Sequence, residues 1–176
     1  DVECINILCS DGSLVQEPHG PNDAWFAGTS ANDPKNGMVL YRAEQVMLDY
    51  VSEVAVWGFQ LVYDESGWNQ CDTALAFDIH TYADDSGLPG ATTAQSLQTP
   101  AIKMSTGVMY GGMYELHQWS MDFVATDVDH ISVQSVSKGE GCWFLWMSSG
   151  SGDSLSSVND GSGWSFDAND LSTCID

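Results

Sequence analysis

Two cysteines, Cys142 and Cys174, bracket the part of the chain that most constrains its fold. Between them lie a dense aromatic run (Trp143, Phe144, Leu145, Trp146), a long Gly/Ser/Asp stretch, an isolated Trp164 and a short closing segment. A run that is apolar at successive positions predicts a strand covered on both faces. The Gly/Ser/Asp stretch predicts turns. This layout suits the last strands of a disulfide-stapled β-sandwich, and none of its groups is arranged for bond-breaking chemistry.

The rest of the chain reads the same way. Val54 to Tyr63 is a nearly continuous apolar run, the pattern of a central strand. Leu75, Phe77, Ile79 and Thr81 alternate with Asp78 and His80, as in a strand with one covered face. Tyr110 to Phe123, Asp129 to Val136 and Cys142 to Met147 predict further strands. Asp84-Asp85-Ser86-Gly87-Leu88-Pro89-Gly90, Gly111-Gly112 and Lys138-Gly139-Glu140-Gly141 supply the turns between them. The one stretch with helical character is Tyr41 to Tyr50, which also fits a strand with its connection. Strands and turns without a βαβ rhythm predict one all-β sandwich domain over residues 1–176. Its expected parts are an N-terminal strand segment (1–9), a long ordered loop region (10–40) and the sandwich body (41–176).

The 25 acidic residues face only Lys35, Arg42, Lys103 and Lys138, a formal charge of -21. This excludes nucleic acid as a partner, because phosphate binding needs clustered Lys and Arg. No apolar stretch is long enough for membrane insertion. Such a charge keeps a secreted protein soluble and attracts divalent cations. The acidic start Asp1-Val2-Glu3, without Met, is expected of a mature chain secreted after signal-peptide removal.

Several elements occur in an order that resembles a module of large secreted planctomycete-type bacterial proteins. They are Trp57-Gly58, then Phe77-Asp78-Ile79-His80-Thr81-Tyr82, then Asp84 to Gly90, then Cys142-Trp143-Phe144-Leu145-Trp146. Gly152-Asp153, Gly163-Trp164 and Asp170-Leu171-Ser172-Thr173-Cys174 complete the pattern. The resemblance spans about residues 45 to 176. It implies an antiparallel, jelly-roll-like sandwich in an extracellular setting and an accessory role. That pattern often carries a Cys before its Trp-Gly, where this chain has Val54-Ala55-Val56, which leaves Cys71 without its usual partner. Ser172-Thr173 also departs from the small-aromatic pair usual in the last strand.

Cys4, Cys9, Cys71, Cys142 and Cys174 show no C-x-x-C and no zinc spacing, so disulfides in an oxidising compartment are expected. Cys142 with Cys174 is the expected bridge, joining the aromatic strand to the final one. In a strand, Cys4 and Cys9 stand about 17 Å apart at ~3.3 Å per residue, beyond the ~7 Å a disulfide spans. Either the segment turns back to join them, or one reaches Cys71 and the other is left over. An odd count leaves one thiol free or bonded to another chain.

No G-x-S-x-G is present, and His19, His80, His117 and His130 have no ligand spacing, so catalysis is not expected. Candidate Ca²⁺ ligands are Asp84 and Asp85 in one turn and Asp160 in another, where carboxylates on tight turns offer hard oxygen donors. Trp68 and Trp25 are the tryptophans expected to be exposed for stacking on sugar rings. Two functions fit. One is a non-catalytic structural subunit of an extracellular filament, sheath or surface layer. In it the apolar Val2, Ile5, Ile7 and Leu8 add to the sheet edge of another copy. The other is a carbohydrate-binding or adhesion module whose loops use Ca²⁺, with extracellular glycans as partners.

Overall fold

A single strand organises the fold. In the computed structural model, which describes residues 14–176, β4 (Met38–Asp64) runs for 27 residues and pairs with six other strands. Before it come β1 (Leu14–Gln16), β2 (Ala27–Thr29), β3 (Ala31–Asp33) and a 3₁₀ turn at Pro34–Asn36. After it come β5 (Gly67–Gln70), β6 (Ala76–Asp85), β7 (Leu88–Pro100), β8 (Ile102–Tyr110) and the 23-residue β9 (Tyr114–Val136). The C-terminal part holds β10 (Cys142–Ser149), β11 (Ser156–Asn159), β12 (Trp164–Asp167), β13 (Asp170–Leu171) and β14 (Thr173–Ile175). The described chain is all-β, and the main path through its sheet is β1-β14-β4-β3-β9-β6-β7. Every pairing is antiparallel except β3 with β9, which is parallel through Ala31 opposite Ser135 and Asn32 opposite Val136.

The apolar run in β4 explains why two cores form. Val54 and Val56 point into one core with Phe77, Ile79, Trp119, Met121, Ile131, Phe144 and Trp146. Ala55, Trp57, Phe59 and Leu61 point into the other with Tyr110, Leu116, Trp143, Leu145 and Met147. Alternation of side chains along a strand sends neighbours to opposite faces, and here both faces are covered. β10 divides its aromatic run in the same way. Gly58 marks where β10 lies tightest against β4: a Cβ there would come within 2.1 Å of the Leu145 carbonyl oxygen.

Tyr41–Tyr50 lies in β4, not in a helix. Its modest helical propensity yields to the ladder with β9, which runs from Ala43 opposite Ser132 to Gly58 opposite His117. Register shifts between Gln45 and Leu48 and between Val51 and Glu53 bend the long pair, and Met47 takes a positive φ of 51° at the first of them. The described part of the expected 10–40 loop also contributes strands. β2 pairs with β10, and β3 lies between β4 and β9. Between them Ser30 is fully buried, and its hydroxyl donates to the Val133 carbonyl at 2.7 Å.

The disulfide pairing differs from expectation. Cys142 bonds Cys71, with an S–S distance of 2.09 Å and Cα atoms 6.0 Å apart, and does not bond Cys174. The reason lies in β4, because Cys142 sits opposite Val62 and Cys174 opposite Ala55. Those two β4 positions are about 23 Å apart at ~3.3 Å per residue, well beyond the reach of a disulfide. Cys71 follows β5 back to the Val62 end of β4, where its N–H donates to the Gln60 carbonyl at 3.2 Å. Cys174 is itself disulfide-bonded. Cys4 and Cys9 lie outside the described residues, as do Val2, Ile5, Ile7 and Leu8.

The Cys71–Cys142 bridge spans 71 residues of sequence, a length for which the loss of unfolded-chain entropy stabilises by about 4 kcal/mol. Replacing both residues with Ser is expected to lower the unfolding free energy by about 2–4 kcal/mol in urea. A non-reducing peptide map should show the 71–142 link; recovery of a 142–174 link would contradict the assignment.

Candidate functional site

Asp84 and Asp160, two of the residues expected to bind Ca²⁺, already accept hydrogen bonds from protein groups. Asp84 Oδ1 accepts from His130 Nε2 at 2.9 Å, from the Gly87 N–H at 3.1 Å and from Gln45 Nε2 at 3.4 Å. The His130 bond, followed by that from Gly87, holds the Asp84 carboxyl below its ordinary value. Asp160 Oδ1 accepts from the Ser162 hydroxyl at 2.6 Å and its N–H at 3.0 Å, which lower its pKa likewise. Asp85 accepts only from Ser86, at 3.4 Å. Asp84, Asp85 and Asp160 do not converge into one cluster among the described residues.

Trp25 and Trp68, expected to be exposed, are half-buried. Trp25 packs edge-on with Phe59 at 5.7 Å and Tyr110 at 5.4 Å between centroids. Trp68 packs with Tyr63 at 5.1 Å and Trp143 at 6.1 Å, which attaches β5 to the second core.

A different set of acids does converge. Ligand oxygens of Glu44, Asp153 and Asp170 all lie within 4.8 Å of one another. β4 carries Glu44, β13 carries Asp170, and Asp153 stands in the loop between β10 and β11. Glu44 is 1% exposed and Asp170 3%, whereas Asp153 faces solvent. Backbone N–H groups hold the carboxyls in place. Leu171 donates to Glu44 Oε2 at 2.8 Å, and Ser154 donates to Asp170 Oδ2 at 2.9 Å. Leu155 donates to Asp153 Oδ1 at 3.0 Å and to Asp170 Oδ1 at 3.2 Å. Gly152 is required here, because a Cβ at that position would lie 2.5 Å from the Asp170 carboxyl carbon.

Two further oxygens lack partners beside this cluster. Gln16 is 5% exposed and its Nε2 donates to Glu44 Oε1 at 3.4 Å, while its buried Oε1 has no hydrogen bond among the described residues. Ser156, 2% exposed, stands directly opposite Glu44 in the β4–β11 ladder, and its Oγ has no hydrogen bond either. Directly opposed residues of an antiparallel pair share a face, so Ser156 and Glu44 project to the same side of the ladder.

The electrostatics follow from this packing. Burial pushes the Glu44 carboxyl up to about 9, and the nearby charges of Asp170 and Asp153 add to the effect against the bond from Leu171. Asp170 is raised by burial, and by Asp153, despite the bonds from Ser154 and Leu155. Asp33 is the contrasting case. Burial raises its pKa too, but hydrogen bonds from Asn36, Trp143, Ser137 and Gly141 outweigh that and leave it lowered. One buried carboxylate is ionised within a net of donors. The other is destabilised as an anion.

Two surface features complete the inventory. A polar cleft of about 320 Å³ is lined by Gln60, Gln70, Asp72, Lys103, Glu115 and His117. In it Lys103 Nζ donates to Gln60 Oε1 at 2.9 Å and Asp72 Oδ1 at 3.0 Å. The second feature is β7, which pairs with β6 and with no other strand among the described residues. Comparison with protein-family models, with characterised proteins and with solved structures finds no match to this chain.

The raised Glu44 carboxyl has a definite pH signature. The folded chain holds this proton to about pH 9, whereas the unfolded chain releases it near 4.5. Its contribution to stability is therefore full at acid pH and is lost as pH rises through that window. In EDTA-containing buffer, Glu44→Gln should gain on the wild type by about 1.4 kcal/mol per pH unit between pH 5 and 8. Paired urea titrations measure this difference; a gap that does not vary with pH would contradict the assignment.

Proposed function

We propose that this protein is a non-catalytic structural subunit of an extracellular assembly, joined by strand addition between copies. The observation that carries this reading is the composition of the β7 edge. In a chain with 25 acidic residues, no charged residue occurs from Ser86 to Ile102, a stretch that contains all of β7. Sheet edges that must stay single are blunted by charge, short length, proline or bulges; β7 has Pro89, Pro100 and register shifts against β6, but neither charge nor short length. β7 has 13 residues and no charge, and Leu97 on it is 57% exposed. Other strands at the sheet margin differ: β1 has three residues, β5 four, and β8 carries Lys103.

The occupant we assign to this edge is the Val2–Leu8 segment of a second copy. Its one charged residue is Glu3, and Val2, Ile5, Ile7 and Leu8 provide β-forming apolar side chains. Main-chain hydrogen bonds along an uncharged edge join two chains without bringing their acidic surfaces into contact. For a chain at -21 that condition is severe. Secretion and a disulfide-permissive compartment accord with the Cys71–Cys142 bridge. The competing reading, a carbohydrate-binding module, would now use the Gln60–Lys103–Asp72 cleft rather than Trp25 and Trp68.

Two double variants test the proposal while leaving every cysteine in place: Ile5→Lys with Ile7→Lys, and Gln95→Lys with Leu97→Lys. Intact chain is expected to form polymers by light scattering and negative-stain microscopy. Each variant alone should lose them, and a 1:1 mixture of the two should form dimers by pairing the intact edge of one with the intact segment of the other. Monomeric wild type at every protein and salt concentration would overturn the reading, as would unimpaired polymerisation of either variant. Glycan-array binding by a monomeric wild type would favour the carbohydrate module instead.

A further inference from the structure

We propose that Glu44, Asp153 and Asp170, together with the side-chain oxygens of Gln16 and Ser156, form a binding site for one Ca²⁺ ion. The site is independent of the β7 edge and of the assembly drawn from it. Three carboxyls whose ligand oxygens lie within 4.8 Å of one another repel strongly unless a cation or protons intervene. Among the described residues no basic side chain fills that role. Arg42, two positions before Glu44, is spent on Asp167 at 2.5 Å and on the Thr29 carbonyl at 3.1 Å.

The second observation is independent of the acids. Ten buried side-chain polar atoms have no hydrogen bond among the described residues, and two of them, Gln16 Oε1 and Ser156 Oγ, adjoin this cluster, one on an amide that touches Glu44 and the other across the ladder from it. Buried polar atoms are stabilised by partners, and a cation held between the carboxyls would supply one to both oxygens. All five groups offer oxygen. That set matches a hard cation that accepts six to eight oxygens in irregular geometry, and it lacks the thiolate or imidazole that zinc favours.

The backbone N–H groups of Leu171, Ser154 and Leu155 do not compete for the ion, because each carboxylate oxygen keeps a second lone pair. They hold the oxygens in position instead. Asp153, the exposed member, provides the entry side, and water can complete the coordination there. The ion would join β1, β4, β11, β13 and the β10–β11 loop at a single point. Segments from the start, middle and end of the described chain would then share one ligand shell.

The test uses the chelator-treated, dialysed protein with CaCl₂ as the probe. Isothermal titration is expected to give one site per chain. A concentration a hundredfold above Kd should raise Tm by roughly 5–10 °C. Asp153→Asn, at an exposed position where folding is not at risk, should abolish both signals, and Glu44→Gln should do the same. Asp84→Asn with Asp160→Asn should leave them intact. Absence of binding by the wild type overturns the proposal. So does binding that persists in Asp153→Asn and Glu44→Gln, which would show a diffuse response of the acidic surface, or binding lost in the Asp84/Asp160 variant.

Discussion

The structure depends on one constraint: β4 must bury both of its faces. Ala55, Trp57, Phe59 and Leu61 on one side and Val54 and Val56 on the other leave no solvent face over these positions. Elements from both ends of the chain therefore have to gather around this strand. β10 supplies a second two-faced aromatic strand beside it, and Gly58 allows the two backbones to approach closely enough to pair. The disulfide, the path of β5 and the placement of β14 follow from registers on β4.

This arrangement also explains where the polar chemistry is concentrated. β4 carries Asp49 and Asp64 to solvent, but at Glu44 it is covered, so that carboxyl is delivered into the interior, against β11 and β13. Asp33 meets burial with four hydrogen-bond donors and remains ionised. Glu44 has one backbone donor, one long amide contact and two acidic neighbours. Both side chains are closed off from solvent, but Glu44 lies deeper in the packed interior, so burial penalises its anion more and fewer donors offset it.

Much of the fold was legible in the sequence. The apolar run at Val54–Tyr63, the alternation from Leu75 to Thr81 and the aromatic run after Cys142 each state a burial pattern directly, and the structure has those patterns. Pairing was not legible. Nothing local to Cys142 says that it faces Val62 while Cys174 faces Ala55, so the expected bridge joined two cysteines that β4 keeps apart. Short strands such as β2 and β3 were hidden because a three-residue strand has no measurable period. The acidic site was obscured for a related reason. Glu44 sits in a stretch with helical character, and Asp153 and Asp170 belong to the short Gly-Asp and Asp-Leu elements of the sequence pattern. Long-range pairing brings them together, and among 25 acids none carries a local mark of burial. The tight-turn carboxylates differ: Asp160 is satisfied within its own turn, and Asp84 by its turn together with His130 on β9.

Two properties of the chain, a large negative charge and an uncharged sheet edge, acquire meaning together. In the assembly we propose, the charge would keep surfaces apart and confine contact between copies to places without it, and β7 is a long strand of that kind at the margin of the sheet. Amide hydrogen exchange on monomer and on assembled material tests this most directly. The account predicts that β4 amides from Val54 to Leu61 exchange slowly in both states. Outward-facing amides between Gly90 and Thr99 should exchange fast in the monomer and become protected on assembly. Protection of those β7 amides already in the monomer, or unchanged fast exchange in the assembly, would contradict it.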